Sequence, residues 1–497
     1  MSATCERRPG RAERLLRAAA LVALGALGTA CAGAKKPRAV ATGPVTSRTS
    51  SADAREKVAV TVYNSNFGLV REERVVNLGT GRIALAYEDV AAHIQPETVH
   101  IRSLDDPGAL TVLEQNYRYD LLTPEKLLEK YVGKRVKVVR YNEKLGTDEI
   151  RPAEVLAVDG GPVLRIDGEV VTNFPGRFVF PEVPDNLVAE PTLVWLLASS
   201  AARQKVEVTY LTSNMSWRAD YVLVLDSKDE TGDLTGWVTL DNQSGTAFRN
   251  AELKLVAGDV QRVAPPPPPM PAMDLEASVQ AAPAPPQFRQ EGLFEYHLYA
   301  LARPTDLLDK EQKQVTLLEA HGVEIQKKLV FRGAEHWFRS RHGELPKNQK
   351  VSVLVEIDNA ETKGLGMPLP KGIVRVYKAD QSGAQQFVGE DAIDHTPRDE
   401  TIEVKLGEAF DVVADRKQLE WKAISRCVSE SAWSIELRNH KDRSETVEVI
   451  EPVSGDWEVL SSSHRWKKED AHTFVFTVEV PARGETKIAY RVRNRWC

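Results

Sequence analysis

Cysteine is scarce in this chain, and its scarcity excludes several kinds of site. The 497 residues include four cysteines, and no Cys-x-x-Cys pair occurs. Zinc sites and dithiol redox centres are built from such closely spaced thiols, so we predict neither. Only Cys427 and Cys497 lie far from the N-terminus. In an oxidising compartment they either form a disulfide or leave Cys497 free at a frayed chain end.

Two further absences concern basic charge and long apolar runs. The formal net charge is −6, with 65 Lys and Arg against 71 Asp and Glu. Proteins that bind the phosphates of nucleic acids need a clustered basic face, so we predict no nucleic-acid partner. No run of about 18 apolar residues occurs beyond residue 30, so we predict no membrane-spanning helix there.

Catalytic sequence motifs are also missing. The chain contains no Gly-x-Ser-x-Gly, no Gly-x4-Gly-Lys-Ser/Thr and no His-Glu-x-x-His. These patterns mark a nucleophilic serine, a phosphate loop and a zinc peptidase site respectively. We therefore predict no catalytic residue, no cofactor and no metal site, and the sequence identifies no ligand-binding residue.

The histidines are scattered, and the closest two are His336 and His342. Arg339 and Arg341 lie between them and would repel a cation. On a strand, the two histidines would also lie ~20 Å apart. We therefore predict a polar surface hairpin at this point. His464 follows three serines, but no third group completes a triad, and we predict a solvated loop there.

The N-terminus carries the most informative pattern of the chain. A basic stretch precedes short apolar residues 18–26, and small residues then lead to Cys31; the basic residues are Arg7, Arg8, Arg11, Arg14 and Arg17. This order is typical of an export signal that ends at a lipid-bearing cysteine, and spanning a bilayer would need ~20 apolar residues. We predict a signal peptide over 1–30 and lipidation of Cys31. The alternative is ordinary cleavage, which gives an unlipidated start at Gly33 or Lys35.

Changes in composition divide the rest of the chain. Residues 31–55 are rich in small and polar residues without apolar periodicity, which is typical of a flexible tether. An N-terminal β domain is predicted over 56–200, with a small β-barrel inserted at about 133–182, and a β-sandwich body over 201–497. A dense run of prolines predicts a disordered loop in that body at about 262–292.

Alternating apolar and polar residues, the pattern of half-buried strands, recur along the chain. The pattern is clearest at Trp433, Ile435 and Leu437, each followed by a polar residue. Sheets with one apolar face pack as sandwiches. Thr123 and a following proline predict one short helix, and the Ala-rich residues 193–202 predict a second. The predicted fold is mainly β, with antiparallel β-sandwich domains, a small inserted β-barrel and one or two short helices.

The nine tryptophans divide by their neighbours. Trp217, Trp237 and Trp433 lie in apolar strand patterns and are predicted to be in the core. Four others have polar neighbours and are the better candidates for an exposed sugar-stacking platform, with partly buried structural roles as the expected alternative. They are Trp337, Trp457, Trp466 and Trp496.

Six stretches carry a family resemblance: TVYNSNFGLVR at 61–71, SWRADY at 216–221, GWVTLDNQSG at 236–245, NAELKLVAGDV at 250–260, YHLY at 296–299 and RPT at 303–305. They resemble a family of exported bacterial β-rich proteins catalogued as a domain of unknown function (DUF4139), whose named members include mucoidy inhibitor A. The resemblance implies a β-sandwich body with a variable, proline-rich insertion and no catalytic residues. The coiled coil that often precedes this body is missing, because no heptad run occurs.

Within SWRADY, Arg218 and Asp220 share a strand face and are predicted to pair.

These observations favour a non-enzymatic envelope lipoprotein. Lipidated Cys31 would hold it at a membrane, and the outer membrane is favoured because Ala32 follows where retention at an inner membrane typically needs Asp. An envelope protein or polysaccharide is the predicted partner. One alternative is a secreted hydrolase of envelope polymers, with its site assembled from separate strands. Another is a periplasmic assembly factor with an open sheet edge.

Overall fold

The computed structural model describes residues 43–142, 146–184, 187–258, 260–262 and 288–496. The predicted signal peptide, Cys31, Cys497 and most of the proline-rich segment lie outside these residues. One compact unit, Thr42–Cys497, contains everything that is described below.

Strands dominate the described residues, as the alternating pattern predicts. The first ten are β1 Val45–Ser50, β2 Arg55–Tyr63, β3 Phe67–Asn77, β4 Gly81–Tyr87, β5 His100–Ser103, β6 Leu110–Arg118, β7 Arg135–Asn142, β8 Thr147–Ala157, β9 Val163–Ile166 and β10 Glu169–Thr172. The next ten are β11 Arg177–Val179, β12 Thr192–Ser199, β13 Arg203–Ser213, β14 Met215–Leu225, β15 Thr231–Asn242, β16 Phe248–Ala257, β17 Phe288–Leu293, β18 Tyr296–Leu301, β19 Thr305–Leu307 and β20 Glu311–Arg332. The last ten are β21 Gln349–Asp358, β22 Gly372–Ala379, β23 Gln385–Ile393, β24 Thr401–Ser425, β25 Val428–Asn439, β26 Glu445–Pro452, β27 Asp456–Ser462, β28 Lys467–Lys468, β29 Thr473–Val480 and β30 Glu485–Arg495.

One α-helix, α1 (Pro124–Lys130), occurs among the described residues, with four 3-10 turns at Ala52–Ala54, Pro96–Thr98, Glu335–Phe338 and Glu361–Lys363. The Thr123 side chain accepts a hydrogen bond from the Lys126 backbone N–H at 3.1 Å, which caps the helix as predicted. The second predicted helix is wrong, because residues 193–199 belong to β12. Leu193, Trp195 and Leu197 alternate into the core, but intervening apolar residues hide that period in the sequence.

The N-terminal part is sandwich-like. A four-stranded sheet in the order β1-β4-β12-β6 shares an apolar core with an eight-stranded sheet in the order β17-β18-β16-β2-β3-β13-β5, in which β19 also pairs with β16. Because β13 pairs with β3 along its whole length, this sheet crosses the domain boundary predicted at residue 200. Residues 45–50 of the predicted tether form β1, which pairs in parallel with β4.

The insertion folds as its own five-stranded sheet, in the order β10-β9-β8-β7-β11. The strands confirm the prediction, but the barrel is wrong, because none of the described sheets closes on itself. Instead α1 covers the apolar face: Leu128 and Tyr131 pack with sheet residues and with Phe174, Phe178 and Phe180. The five-stranded sheet leaves one side of its core open, and α1 and the three phenylalanine rings cover that side.

The remaining strands form a thirteen-stranded sheet whose main path is β23-β22-β14-β15-β20-β21-β24-β25-β30-β27, with β26, β28 and β29 attached to one side. At its C-terminal end, β25 and β30 face β26 and β29 across a second core that includes Trp433, Ile435, Phe474, Phe476 and Ile488. Pairing is mostly antiparallel, as predicted. Four pairs are parallel, namely β1–β4, β2–β16, β14–β22 and β20–β26.

The first seven strands of that path, β23 to β24, curl into an incomplete cylinder. The outer strands meet: the Lys405 N–H donates to the Asp391 carboxylate at 2.8 Å, and a Cβ atom at Gly389 would collide with the Leu406 carbonyl. Glycine at this position therefore permits the close approach of β23 to β24. The curl positions the candidate site at one of its ends.

Candidate functional site

A cavity of about 230 Å³ lies at one end of the curled sheet. We call this end the mouth. Its walls are apolar, formed by Leu225, Val353, Val355, Val388 and Leu406. Strands β14, β21, β23 and β24 each contribute at least one of these residues, so the cavity depends on the curl of the whole sheet. Open ends of such curled sheets are common positions for ligand sites.

The charged part of the rim is built around Asp229, in the turn between β14 and β15. Lys327 of β20 donates to its carboxylate at 2.8 Å, and Lys378 of β22 donates to it as well. Burial raises the pKa of the Asp229 carboxyl, but the hydrogen bonds from Lys327 and Lys378 outweigh burial and hold the pKa below its ordinary value. The carboxylate therefore stays ionised and links β20 and β22 through the turn between β14 and β15.

A second acidic group, Glu408, lies on the opposite side of the mouth. Its carboxylate forms an ion pair with Lys405 at 2.8 Å and accepts a hydrogen bond from the Ser352 hydroxyl at 3.1 Å. The negative charge of Glu408 is thus compensated on its own strand, whereas two ammonium groups share the single carboxylate of Asp229. The excess charge at the mouth is positive.

The family-like motifs meet at a different place, where β2 and β16 approach β14. The Trp217 indole N–H donates to the Val256 carbonyl at 3.2 Å, and the Asn64 amide donates to the Trp217 carbonyl at 3.2 Å. The Tyr299 ring packs edge-on against Trp217 with centroids 6.4 Å apart. These motifs therefore join the eight-stranded and thirteen-stranded sheets, which is a structural role.

The pair predicted within SWRADY is confirmed. The Arg218 guanidinium donates to the Asp220 carboxylate at 3.2 Å. Asp220 also accepts from the Thr239 hydroxyl at 2.9 Å and from Arg375 at 3.0 Å. The three donors belong to β14, β15 and β22, so this carboxylate links three neighbouring strands.

The region of His336 and His342 differs from its prediction. Residues 335–338 form a 3-10 turn, so the two imidazole rings lie 5.9 Å apart instead of on a hairpin. The turn places Trp337 over the buried Arg416 guanidinium, at 4.3 Å from ring centroid to Cζ. A turn brings together residues that a strand would separate, and no pattern in the sequence distinguished the turn from a strand.

No group of three or more His, Cys, Asp or Glu suited to a metal ion occurs in the described part of the chain.

The loop after the three serines is partly structured. The Ser463 hydroxyl lies 2.9 Å from His464 Nδ1 and also accepts a hydrogen bond from the Ala489 backbone N–H at 2.8 Å. His464 is partly exposed and Ser463 exposed, in agreement with the predicted solvated loop.

Two of the tryptophans with polar neighbours, Trp457 and Trp466, pack on the C-terminal core. Trp466 is 38% exposed and packs against buried Phe474, with ring centroids 5.9 Å apart. Lys468 lies 4.9 Å above the Trp457 ring, and the Trp457 indole N–H donates to the Ala471 carbonyl. These rings cover the edge of the C-terminal core. This is the partly buried structural role that was expected as the alternative to a sugar-stacking platform.

Cys427 is disulfide-bonded, and the chain's other three cysteines lie outside the described residues. The Trp496 backbone N–H donates to the Cys427 carbonyl at 3.1 Å, so the described chain end runs beside Cys427. This proximity favours Cys497 as the disulfide partner, which stays a prediction. Cys31 also lies outside the described residues.

Sequence reasoning missed the mouth. Its residues lie between positions 225 and 408, and each by itself resembles an ordinary strand or turn residue. Asp229, in the turn at 226–230, has a left-handed φ of 62°, a conformation that Asp adopts more readily than most residues. No helix in the described ranges is both long and apolar enough to cross a lipid bilayer.

A family described as "Domain of unknown function (DUF4139)" matches residues 206–497, more than half of the chain. No curated protein matches the chain. The implied relation to mucoidy inhibitor A therefore stays a prediction.

Proposed function

Because the chain belongs to the DUF4139 family, whose shared domain has no known function, we propose a role from its own residues. It is a lipid-anchored protein of the bacterial envelope that binds a ligand or partner and catalyses no reaction. The observation that carries the binding part is the apolar cavity with a positively charged rim at the mouth. A cavity with few polar groups is typical of binding sites.

Several carboxyl groups are held ionised, which suits a role in recognition. In the described part of the chain, each carboxyl group with a shifted pKa is shifted downward, and Asp229, Asp415 and Glu445 are examples. Burial opposes the shift at these three, and hydrogen bonds from Lys or Arg outweigh it. Carboxylates held ionised are suited to structure and recognition.

The anchoring part of the proposal depends on Cys31. A cysteine modified with two or more acyl chains holds a protein stably at a membrane, whereas one chain does so only marginally. The outer membrane is the proposed location where the cell has two membranes, and an envelope protein or polysaccharide is the proposed partner.

Fractionation of cells tests the anchor. We expect the wild-type chain in the membrane fraction, with an acylated N-terminal Cys31 by mass spectrometry. Cys31→Ser should move the chain to the soluble fraction or leave it uncleaved. Cys5→Ser is the matched control, because it changes a cysteine inside the predicted signal and should leave the chain in the membrane. An unlipidated start at Gly33 or Lys35 would refute the anchor.

A further inference from the structure

The cavity at the mouth is small and apolar along its depth. Its volume of about 230 Å³ equals roughly eight groups of the size of a water molecule, at ~30 Å³ each. A hydrocarbon chain of about six to eight carbons fills such a space.

The rim offers hydrogen-bond donors that the protein itself does not use. Each lysine ammonium has three N–H donors. Lys327 uses one on Asp229, and Lys378 uses one on Asp229 and another on the Ser227 carbonyl at 3.2 Å. Among the described residues, the other three N–H groups have no acceptor. Both side chains are partly exposed, at 27% and 29%, so these donors are accessible from the cavity entrance.

The charges at the mouth favour one type of head group. Two ammonium groups face one carboxylate at Asp229, and Glu408 is neutralised by Lys405. An anion with one negative charge would balance the rim, and a carboxylate can accept from both lysines. A neutral head group could accept hydrogen bonds but would leave the excess charge in place.

We propose that the mouth binds a monocarboxylic acid with a short, unbranched hydrocarbon chain of about six to eight carbons. The chain occupies the apolar cavity, and the carboxylate accepts from the N–H groups of Lys327 and Lys378 that Asp229 does not use. This inference rests on the proposed binding function and gives it a ligand class.

Calorimetric titration with octanoate, hexanoate and octanol tests the ligand class. The protein is the full chain with Cys31→Ser, purified without detergent, so that no attached acyl group competes. We expect saturable binding of octanoate, binding of hexanoate that is roughly ten- to fifteen-fold weaker because two methylene groups are lost, and weaker binding of octanol.

Three variants separate head group from chain. Lys378→Met should weaken octanoate binding at least tenfold and octanol binding much less, because the hydroxyl loses one hydrogen bond whereas the carboxylate also loses a charge contact. Val388→Trp should fill the cavity and prevent binding of both. Val170→Trp, on the exposed face of the five-stranded insertion, is the matched control and should change neither.

Three results would overturn the proposal. They are equal binding of octanoate and octanol to the parent chain, equal weakening of both by Lys378→Met, and unchanged octanoate binding in Val388→Trp. Thermal unfolding shows whether each variant is folded; if Val388→Trp is not, Lys327→Met replaces it and should repeat the effect of Lys378→Met. If octanoate does not bind, the result of the Cys31 fractionation still stands. Failure of the ligand proposal can therefore be distinguished from failure of the anchor proposal.

Discussion

At the scale of single residues, the fully buried ion pair of Arg416 and Glu451 stands out. Arg416 of β24 donates to both carboxylate oxygens of Glu451 on β26, and neither side chain is exposed. The Tyr490 hydroxyl accepts from the same guanidinium at 3.3 Å, and burial raises the pKa of Tyr490 well above its ordinary value, so it remains a neutral phenol. Alternating strand patterns predict apolar residues at core positions, which is why sequence did not identify this pair.

Removing one partner of that pair should be costly. We expect Glu451→Gln to lower the free energy of unfolding by about 3–5 kcal/mol, because Arg416 keeps its charge in an apolar surrounding. Urea unfolding followed by tryptophan fluorescence measures the loss, since Trp337 lies against Arg416. Glu335→Gln removes an exposed ion pair with Arg339 and should leave the midpoint unchanged. Equal midpoints for both variants would contradict the assignment.

The pKa of Asp229 predicts how stability depends on pH. Its carboxyl has a lowered pKa in the folded protein, against ~3.9 when unfolded. A lowered folded-state pKa stabilises the protein above the unfolded value, and the contribution is lost as the pH falls through the folded value. Asp229→Asn should therefore cost about 1–3 kcal/mol at neutral pH and progressively less below pH ~4. Unfolding curves at several pH values check this, and a constant difference would disagree.

At the scale of elements, β1 shows how a polar segment is held. Residues 45–49 are exposed, so their order depends on backbone pairing with β4 and on the contacts of Ser50. Buried Arg74 donates to the Ser50 carbonyl at 3.0 Å and pairs with buried Glu72 at 2.7 Å. The sequence could not reveal this strand, because its order comes from a guanidinium on another strand and not from its own apolar residues.

Replacing that guanidinium should release β1. Arg74→Met leaves buried Glu72 with Arg55 and the Tyr87 hydroxyl as its remaining partners and removes the donor to Ser50. We expect trypsin to cleave after Arg48 several times faster than in the parent chain, as measured by mass spectrometry of the products. Arg71→Met, at a largely exposed position of the same strand β3, is the control and should leave the rate unchanged. A similar rate in both variants would argue against this account.

At the scale of the whole molecule, the sequence predicted strands better than their partners. Period-two alternation identified the strands at Trp433–Leu437 and 474–480, because each pattern is contained in a few residues. Which strands pair depends on contacts between distant segments, as in the parallel pair β14–β22, whose residues lie about 150 positions apart. The mouth is of this second kind, since it needs seven strands in place before any cavity exists. Its lysines and aspartate carry no motif that a linear search could find.

The contact between β23 and β24 has a kinetic consequence. A backbone ladder joins β23 to β22, while the Asp391–Lys405 hydrogen bond and close packing at Gly389 join it to β24. Backbone amides on the β24-facing side of β23 should thus exchange with deuterium earlier than those of central β14, which has ladders on both sides. The cavity wall that contains Val388 is then the part that opens most often, and the rate of that opening would limit how fast any occupant enters or leaves.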